Sequence, residues 1–296
     1  QDLLEVNAVF INMPLRETAA PNVTPEGPLL MATRLRQQYG LPVRVIDLNG
    51  YRIKDELAKK RNLSNGRHLT PDEACRFINE HFSYYGTPDL VAFSGKITTL
   101  SWQETIAKII RRLLPHVFLV SGGGLATELK TGLFNYIPEL DAVAHSEGDD
   151  TIIKICYDAK AIKEKGLRRA TESGSFNPYY LGEISNKPRL MYEGNRPRDL
   201  DALPYADIDI LSDNDEIFKR VFGYEYKLVP SYLANVVWGV SANNSSAAPT
   251  IMTRSTTSVS SRGCPYGCKY CYRGTQGERT WVVRSAKHIH NQLVHY

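Results

Sequence analysis

A doubly wound parallel α/β sheet is the fold class predicted for the first half of this sequence. Short apolar runs alternate with helix-length amphipathic segments, the connections between them are short, and turn formers cluster where the runs end, as at Ser121-Gly122-Gly123-Gly124. Regular alternation of strand and helix is what right-handed parallel crossovers produce.

The first strand is read over Glu5 to Met13, an apolar run ended by Pro14 and of the type buried on both faces. After the loop Pro14 to Pro25, a helical pattern starts behind Pro28, with Leu29, Leu30, Thr33 and Leu35 ahead of a Gly40 stop. Pro42 to Leu48 is a second strand, turned by Asn49-Gly50. Ile53 to Gly66 is charged, with helical character. Thr70-Pro71-Asp72-Glu73 is a helix start, with a stop at Gly86. Pro88 to Ser94 is the third strand, Leu100 to Leu114 a long helix, and Val117 to Val120 the fourth strand. A helix near Ala126 to Tyr136, a fifth strand at Asp141 to Ala144 and a helix opened by Glu147-Gly148-Asp149-Asp150-Thr151 and running to about Lys165 complete the unit. Ligands of such sheets sit beyond the carboxyl ends of the strands. Asn12 to Arg16, Ser94-Gly95, Ser121 to Gly124 and His145 to Asp150 all fall there. The triple glycine does not spell G-x-G-x-x-G, so a dinucleotide fingerprint is absent. A tight strand-to-helix turn explains one or two of these glycines; close approach of a flat or bulky ligand explains the third.

The chain has 296 residues, 42% hydrophobic and 23% charged, which is ordinary for a folded domain or two and excludes a disordered or fibrous chain. A formal charge of +4 is small and dispersed, so nucleic acid is not an expected partner. There is no signal peptide and no apolar run of membrane length, and the expected location is cytoplasmic. Residues 166 to 250 are lower in pattern and read as a linker. They include a Pro197–Pro204 surface connection, packing tyrosines Tyr224, Tyr226 and Tyr232, and a flexible loop at Asn243 to Pro249.

Three of the five cysteines stand close together in Arg262-Gly263-Cys264-Pro265-Tyr266-Gly267-Cys268-Lys269-Tyr270-Cys271-Tyr272. Cys264, Cys268 and Cys271 suit an iron–sulfur cluster; with no fourth Cys nearby, one iron of a four-iron cluster would stay open for a substrate or cofactor. Zinc and unrelated thiols are the alternatives. Structural zinc wants four ligands, usually with C-x-x-C pairs, and neither Cys75 nor Cys156 supplies such a pair; both suit plain burial on helices. A disulfide would leave an odd cysteine over.

The C-x-x-x-C-x-aromatic-C pattern resembles the cluster motif of radical S-adenosylmethionine enzymes. A strand–helix domain with Glu-Gly-acid-acid-Thr near its end, followed downstream by this motif, resembles their cobalamin-binding subclass. The resemblance implies a [4Fe–4S] cluster on the three cysteines, S-adenosylmethionine chelated at the open iron beside Tyr270, and cobalamin packed against Ser94, Gly95, Gly122, Gly123, Gly124, Glu147 and Gly148. It implies a Rossmann-like cobalamin domain at 1–165, a linker at 166–250, and from 251 the start of a TIM-type radical barrel, partial in this chain. Thr256 to Ser261 would be its first strand. Arg279 to Arg284 would be extended, and Ser285 would cap a helix with Ile289 and Leu293 inside and His288, His290 and His295 on the surface. Methylation of an unactivated carbon in a small molecule is the leading expected reaction, with an electron donor such as flavodoxin or ferredoxin as partner. Rearrangement or oxidative cyclisation, a domain that has lost cobalamin, and a non-enzymatic electron carrier are the rivals. No catalytic residue can be named.

The chain starts without Met and stops soon after the Cys loop, so it is expected to be an N-terminal fragment that binds cofactors poorly and is inactive alone. Proteins with a histidine below cobalt use D-x-H-x-x-G after the first strand, and Asn12 to Pro25 contains no His. Only His145 lies at the ligand end of the sheet, and it has no recognisable orienting partner, so no histidine is expected under the cobalt.

Overall fold

The structure is a computed structural model and describes residues 5–15, 23–174, 176–234, 256–270 and 280–296. Its centre is a seven-stranded sheet. The chain enters through β1 (Ala8–Asn12), whose first four residues are fully buried, as helices on both faces require. Helix α1 (Glu26–Tyr39) ends at Gly40, which takes the left-handed conformation. The helix begins before the proline taken as its entrance: Pro28 falls in the first turn, where a missing N–H breaks no helical bond. β2 (Val43–Asp47) pairs parallel to β1. Of the charged stretch 53–66, only α2 (Glu56–Lys60) is helical, with Asp55 accepting from the Ala58 amide.

Helix α3 (Pro71–Tyr85) starts as its sequence announces, with Thr70 and Glu73 bonding each other's backbone. β3 (Leu90–Ser94), α4 (Leu100–Leu113) and β4 (Phe118–Gly122) follow. The next helix forms earlier than its apolar spacing suggests. α5 (Gly123–Leu129) starts inside the triple glycine, and a 3₁₀ turn at Lys130–Gly132 separates it from α6 (Leu133–Tyr136). β5 (Ala142–Ser146) leads to α7 (Thr151–Lys165) and α8 (Leu167–Glu172).

Beyond residue 165 the sheet continues, a difference from the linker expectation. β6 (Tyr180–Ile184) and β7 (Lys187–Gly194) form a hairpin whose turn residues Ser185 and Asn186 have φ of 55° and 59°. β7 pairs parallel to β5, giving the order β2-β1-β3-β4-β5-β7-β6. The order reverses between β1 and β3, the switch point at which doubly wound sheets leave a crevice.

The rest of the linker region is also tied down. Leu200 and Leu203 are buried. α9 (Asp213–Phe222) and α10 (Leu228–Ala234) fold back towards β2, where Asn214 donates to Val45 O at 2.8 Å and accepts from the Asp47 amide at 3.1 Å. Tyr232 is buried and Tyr226 half-buried, as packing residues should be, whereas Tyr224 is exposed.

The barrel strand expected at Thr256 to Ser261 does not form there: residues 256–260 carry no strand, and β8 (Ser261–Gly263) pairs antiparallel with β9 (Trp281–Val283) in a short ribbon, where a TIM-type barrel would pair its strands parallel. α11 (Ala286–His295) is capped by Ser285 as expected. Leu293, expected inside, is exposed; Gln292 is the buried residue of that helix. His288 is drawn in against Tyr205 and Arg284 rather than left on the surface. Cys271 and the Asn243–Pro249 loop lie outside the described residues. No described helix is long and apolar enough to cross a membrane.

Candidate functional site

The carboxyl ends of β3, β4 and β5 border a cavity of about 320 Å³ lying between the sheet and helices α1 and α7. Side chains alternate across a sheet, so Ala92 and Ser94, Val120 and Gly122, and Ala144 and Ser146 present one continuous floor of small groups. Leu30 and Met31 from α1 and Ile152 and Ile155 from α7 supply an apolar wall, and Phe10 closes the depth. The rim is charged: Glu26, Glu147, Asp149, Arg262 and Arg284 stand around it. A second cavity of about 880 Å³ opens beside the first, towards α5 and the β1–β3 switch point. It shares Glu26, Gly27 and Ser94 with the first and adds Asn12, Asn49, Gly95, Lys96 and Gly124.

The glycines read as ligand contacts have separate duties. Gly123 has φ of 81°, and a Cβ there would lie 2.2 Å from Ser94 Oγ. A Cβ on Gly95 would lie 2.2 Å from Gln103 Nε2, and one on Gly148 3.0 Å from Met31 Sδ. These three let the protein pack on itself at the strand ends. Gly122 differs, since its Cβ would meet nothing closer than Ala144 O at 3.5 Å, and it borders the cavity. The turn explanation therefore accounts for Gly123, and Gly122 leaves open space at the cavity floor. A small-residue floor above an apolar depth suits a flat, partly apolar group.

Glu147 and Asp149 do more than border that cavity. Arg262 reaches Asp149 with two nitrogens, at 2.5 and 3.2 Å, and stands 3.3 Å from Glu147. Burial lowers the pKa of Arg262, but Asp149 and Glu147 outweigh it and raise the value overall, so the guanidinium stays charged. Glu26, at the start of α1, accepts from the Val259 amide at 3.2 Å; burial raises its pKa. Arg284, also buried, donates to the carbonyls of Leu200 and Leu203 at 2.6 and 3.2 Å. Sequence reading missed all these partners, because each pair joins segments more than eighty residues apart.

Cys264 and Cys268 are exposed on the loop that leaves β8, and Tyr270 is 93% exposed. Cys271 lies outside the described residues; among the described residues no group of three His, Cys, Asp or Glu side chains is placed to hold a metal. Cys156 is fully buried, which pushes its thiol up to about 12, whereas Cys75 is half-buried beside Arg112.

His145 is buried near the end of β5 and does have a partner: Nδ1 lies 3.2 Å from Ser146 Oγ. It borders the first cavity together with Ala144 and Ser146, and the φ of 68° at Ser146 ends the regular alternation of the strand there. Burial, with a smaller effect from Lys130, lowers its pKa.

The fold and the cavity define a Rossmann-like α/β sheet with a ligand crevice at its carboxyl edge. Among solved structures this fold is that of the cobalamin-dependent S-adenosylmethionine radical enzyme OxsB, whose structure has aqua-cobalamin and S-adenosylmethionine bound. The likeness has a TM-score of 0.60 at 14% identity and covers 99% of this chain and 31% of that one. At such identity the likeness is one of fold. An uncharacterized methyltransferase, PH0819 of Pyrococcus horikoshii, is 26% identical over 216 residues, covering 71% of this chain and 37% of that protein. The chain thus spans well under half the length of either. No family model matches it.

Proposed function

We propose that this chain is part of a cobalamin-dependent radical S-adenosylmethionine enzyme that methylates an unactivated carbon of a small molecule. The observation that carries this reading is the apolar, small-floored cavity at the carboxyl ends of β3, β4 and β5, rimmed by the arginine that stands two residues before Cys264. Likeness of fold to a cobalamin-dependent enzyme and of sequence to a methyltransferase support it.

In this reading the sheet unit and its hairpin hold cobalamin, residues 195–250 join it to the second unit, and the segment from 251 opens the radical domain. Gly122, Ala144 and Ser146 would lie against the corrin; Ser94, Gly95, Gly123, Gly124, Glu147 and Gly148 shape the loops around it. Leu30, Met31, Ile152 and Ile155 keep water from the depth of the cavity. Cys264, Cys268 and Cys271 would hold a [4Fe–4S] cluster, with Tyr270 beside S-adenosylmethionine. When bound, these groups supply a transferable methyl group and one-electron chemistry, with electrons from a flavodoxin- or ferredoxin-like protein. The chain's own task is placement and exclusion of water.

Hydroxocobalamin titrated into the protein tests the reading through its visible spectrum. Ala144→Phe puts a ring onto the cavity floor and should abolish the spectral change, while the far-ultraviolet circular dichroism stays that of the parent. Unaltered titration of that variant would overturn the assignment of the cavity.

A further inference from the structure

Four charged side chains from three distant segments meet at the mouth of the cavity. Arg262, on β8, takes Asp149 with two nitrogens and also faces Glu147. Arg196, just after β7, donates from Nε to the other Glu147 oxygen at 3.3 Å. Its Nη1 donates to Thr280 O at 2.5 Å and to Thr280 Oγ1 at 2.6 Å. Both strands of the ribbon are thereby held to the loop after β5, β8 through Arg262 and β9 through the Glu147–Arg196–Thr280 chain. Gly263 marks how closely the parts fit: with φ of 88°, a Cβ there would lie 2.1 Å from Thr280 O and 2.4 Å from Arg196 Nη1.

The side chains of Arg196, Asp149, Glu147 and Arg262 are only 8%, 6%, 19% and 20% exposed. Withdrawing so much charge from water is costly, and pairing returns little net stability. Such a cluster is better suited to holding a geometry than to strengthening a fold. The geometry held is that of the segment running into Cys264, two residues beyond Arg262 and so within about 7 Å of chain from the clasp.

We infer that Glu147 and Asp149 are positioning residues that seat the β8–β9 ribbon, and with it the chain entering Cys264, on the mouth of the apolar cavity. Their acidity serves an arginine of the same chain, and the inference stands on these contacts whatever ligand the cavity takes.

Hydrogen–deuterium exchange on the whole chain tests it, without added cofactor. The Val259 amide, which donates to Glu26 at 3.2 Å, reports on ribbon docking, and the Arg284 amide, which donates to Ser260 O at 2.9 Å, on pairing within the ribbon. In Asp149→Asn and in Arg262→Gln, peptides spanning 259–263 and 281–285 should exchange about tenfold faster or more, while those spanning β3 and β4 keep the parent rate. Arg262→Lys, which keeps the charge, should recover most of the protection. Unchanged ribbon exchange in both single variants would overturn the inference, as would an equal rise across β3 and β4, or a lysine variant no better protected than the glutamine one. Failure of hydroxocobalamin to bind the parent would count against the proposed function and leave this result standing.

Discussion

His145 separates two readings of the cofactor's lower face. It borders the cavity beside Ala144 and Ser146, and Ser146 Oγ gives it the orienting partner that the sequence did not reveal. Because the stretch after β1, residues 12–25, contains no His, we expect on the proposed function that cob(II)alamin bound to this protein shows no axial nitrogen splitting by electron paramagnetic resonance; a nitrogen triplet lost in His145→Ala would make His145 the ligand. Thiol roles divide as sharply. Cys156 is fully buried and Cys75 packs beside Arg112, so alanine at either should leave iron and sulfide content after anaerobic reconstitution unchanged. Alanine at Cys264, Cys268 or Cys271 should abolish it, and equal loss in the Cys75 or Cys156 variant would refute the ligand set. Asp158 offers a test by pH. Burial raises its carboxyl from 3.8 to about 6, against a smaller opposing effect of the 2.5 Å hydrogen bond it accepts from Tyr192. A carboxyl with a higher pKa when folded binds more protons in the folded state, so its contribution is fully present below about pH 4 and lost as pH rises through about 6. Asp158→Asn keeps an acceptor for Tyr192, and its melting temperature relative to the parent should be more favourable at about pH 7.5 than at about pH 4. A pH-independent difference would show that Asp158 does not titrate this way. None of these partners has a signal in sequence: Asp158 and Tyr192 lie 34 residues apart and look like an ordinary helix acid and an ordinary tyrosine.

At the scale of elements, β1 to β5 are legible because strands buried on both faces must be apolar throughout, and α3 because its capping box is written in four consecutive residues. The hairpin β6–β7 is not legible. β6 is an edge strand with Tyr180, Leu181 and Glu183 exposed, and β7 carries Lys187, Pro188 and Arg189. It enters the sheet because Arg189 is buried over Phe134 and satisfied by the carbonyls of Leu140 and Pro138, contacts set by the fold and not by local pattern. α10 is held by a comparable device. The buried Asp47 carboxylate accepts from Tyr232 OH at 2.6 Å, Asn12 Nδ2 at 2.8 Å and the Asn49 amide at 2.9 Å. Tyr232→Phe leaves that buried oxygen short of a donor, so it should cost about 1–3 kcal/mol in urea unfolding. Exchange in 228–234 should rise before that in β1 does. A variant as stable as the parent would mean that α10 is docked by its apolar contacts alone.

For the whole molecule, the sequence located the strand ends that border the cavity but not what closes it. Glycine clusters and strand ends are local features; the pairing of Arg262 with Asp149 spans 113 residues and rests on two charges that look solvated in isolation. The same long-range assembly bears on whether this chain can hold a cofactor. Poor binding is the expectation for an incomplete barrel, whose opening strand has an unpaired edge; β8 pairs with β9 on one side, and the residues lining the first cavity run from Phe10 to Arg284 within the chain. A ligand that binds only the folded state stabilises it by about 2.7 kcal/mol at a hundred times its Kd. For a molecule of this size that corresponds to a rise in Tm of about 4 °C. We expect saturating hydroxocobalamin to produce such a rise in the parent and in Cys264→Ala, because the cavity floor contains no cysteine. Ala144→Phe should start lower, since overpacking costs about 1–3 kcal/mol, and should show no rise. If Cys264→Ala loses the shift while Ala144→Phe keeps it, the corrin sits on the cysteine loop and not between β4, β5 and the helices above them.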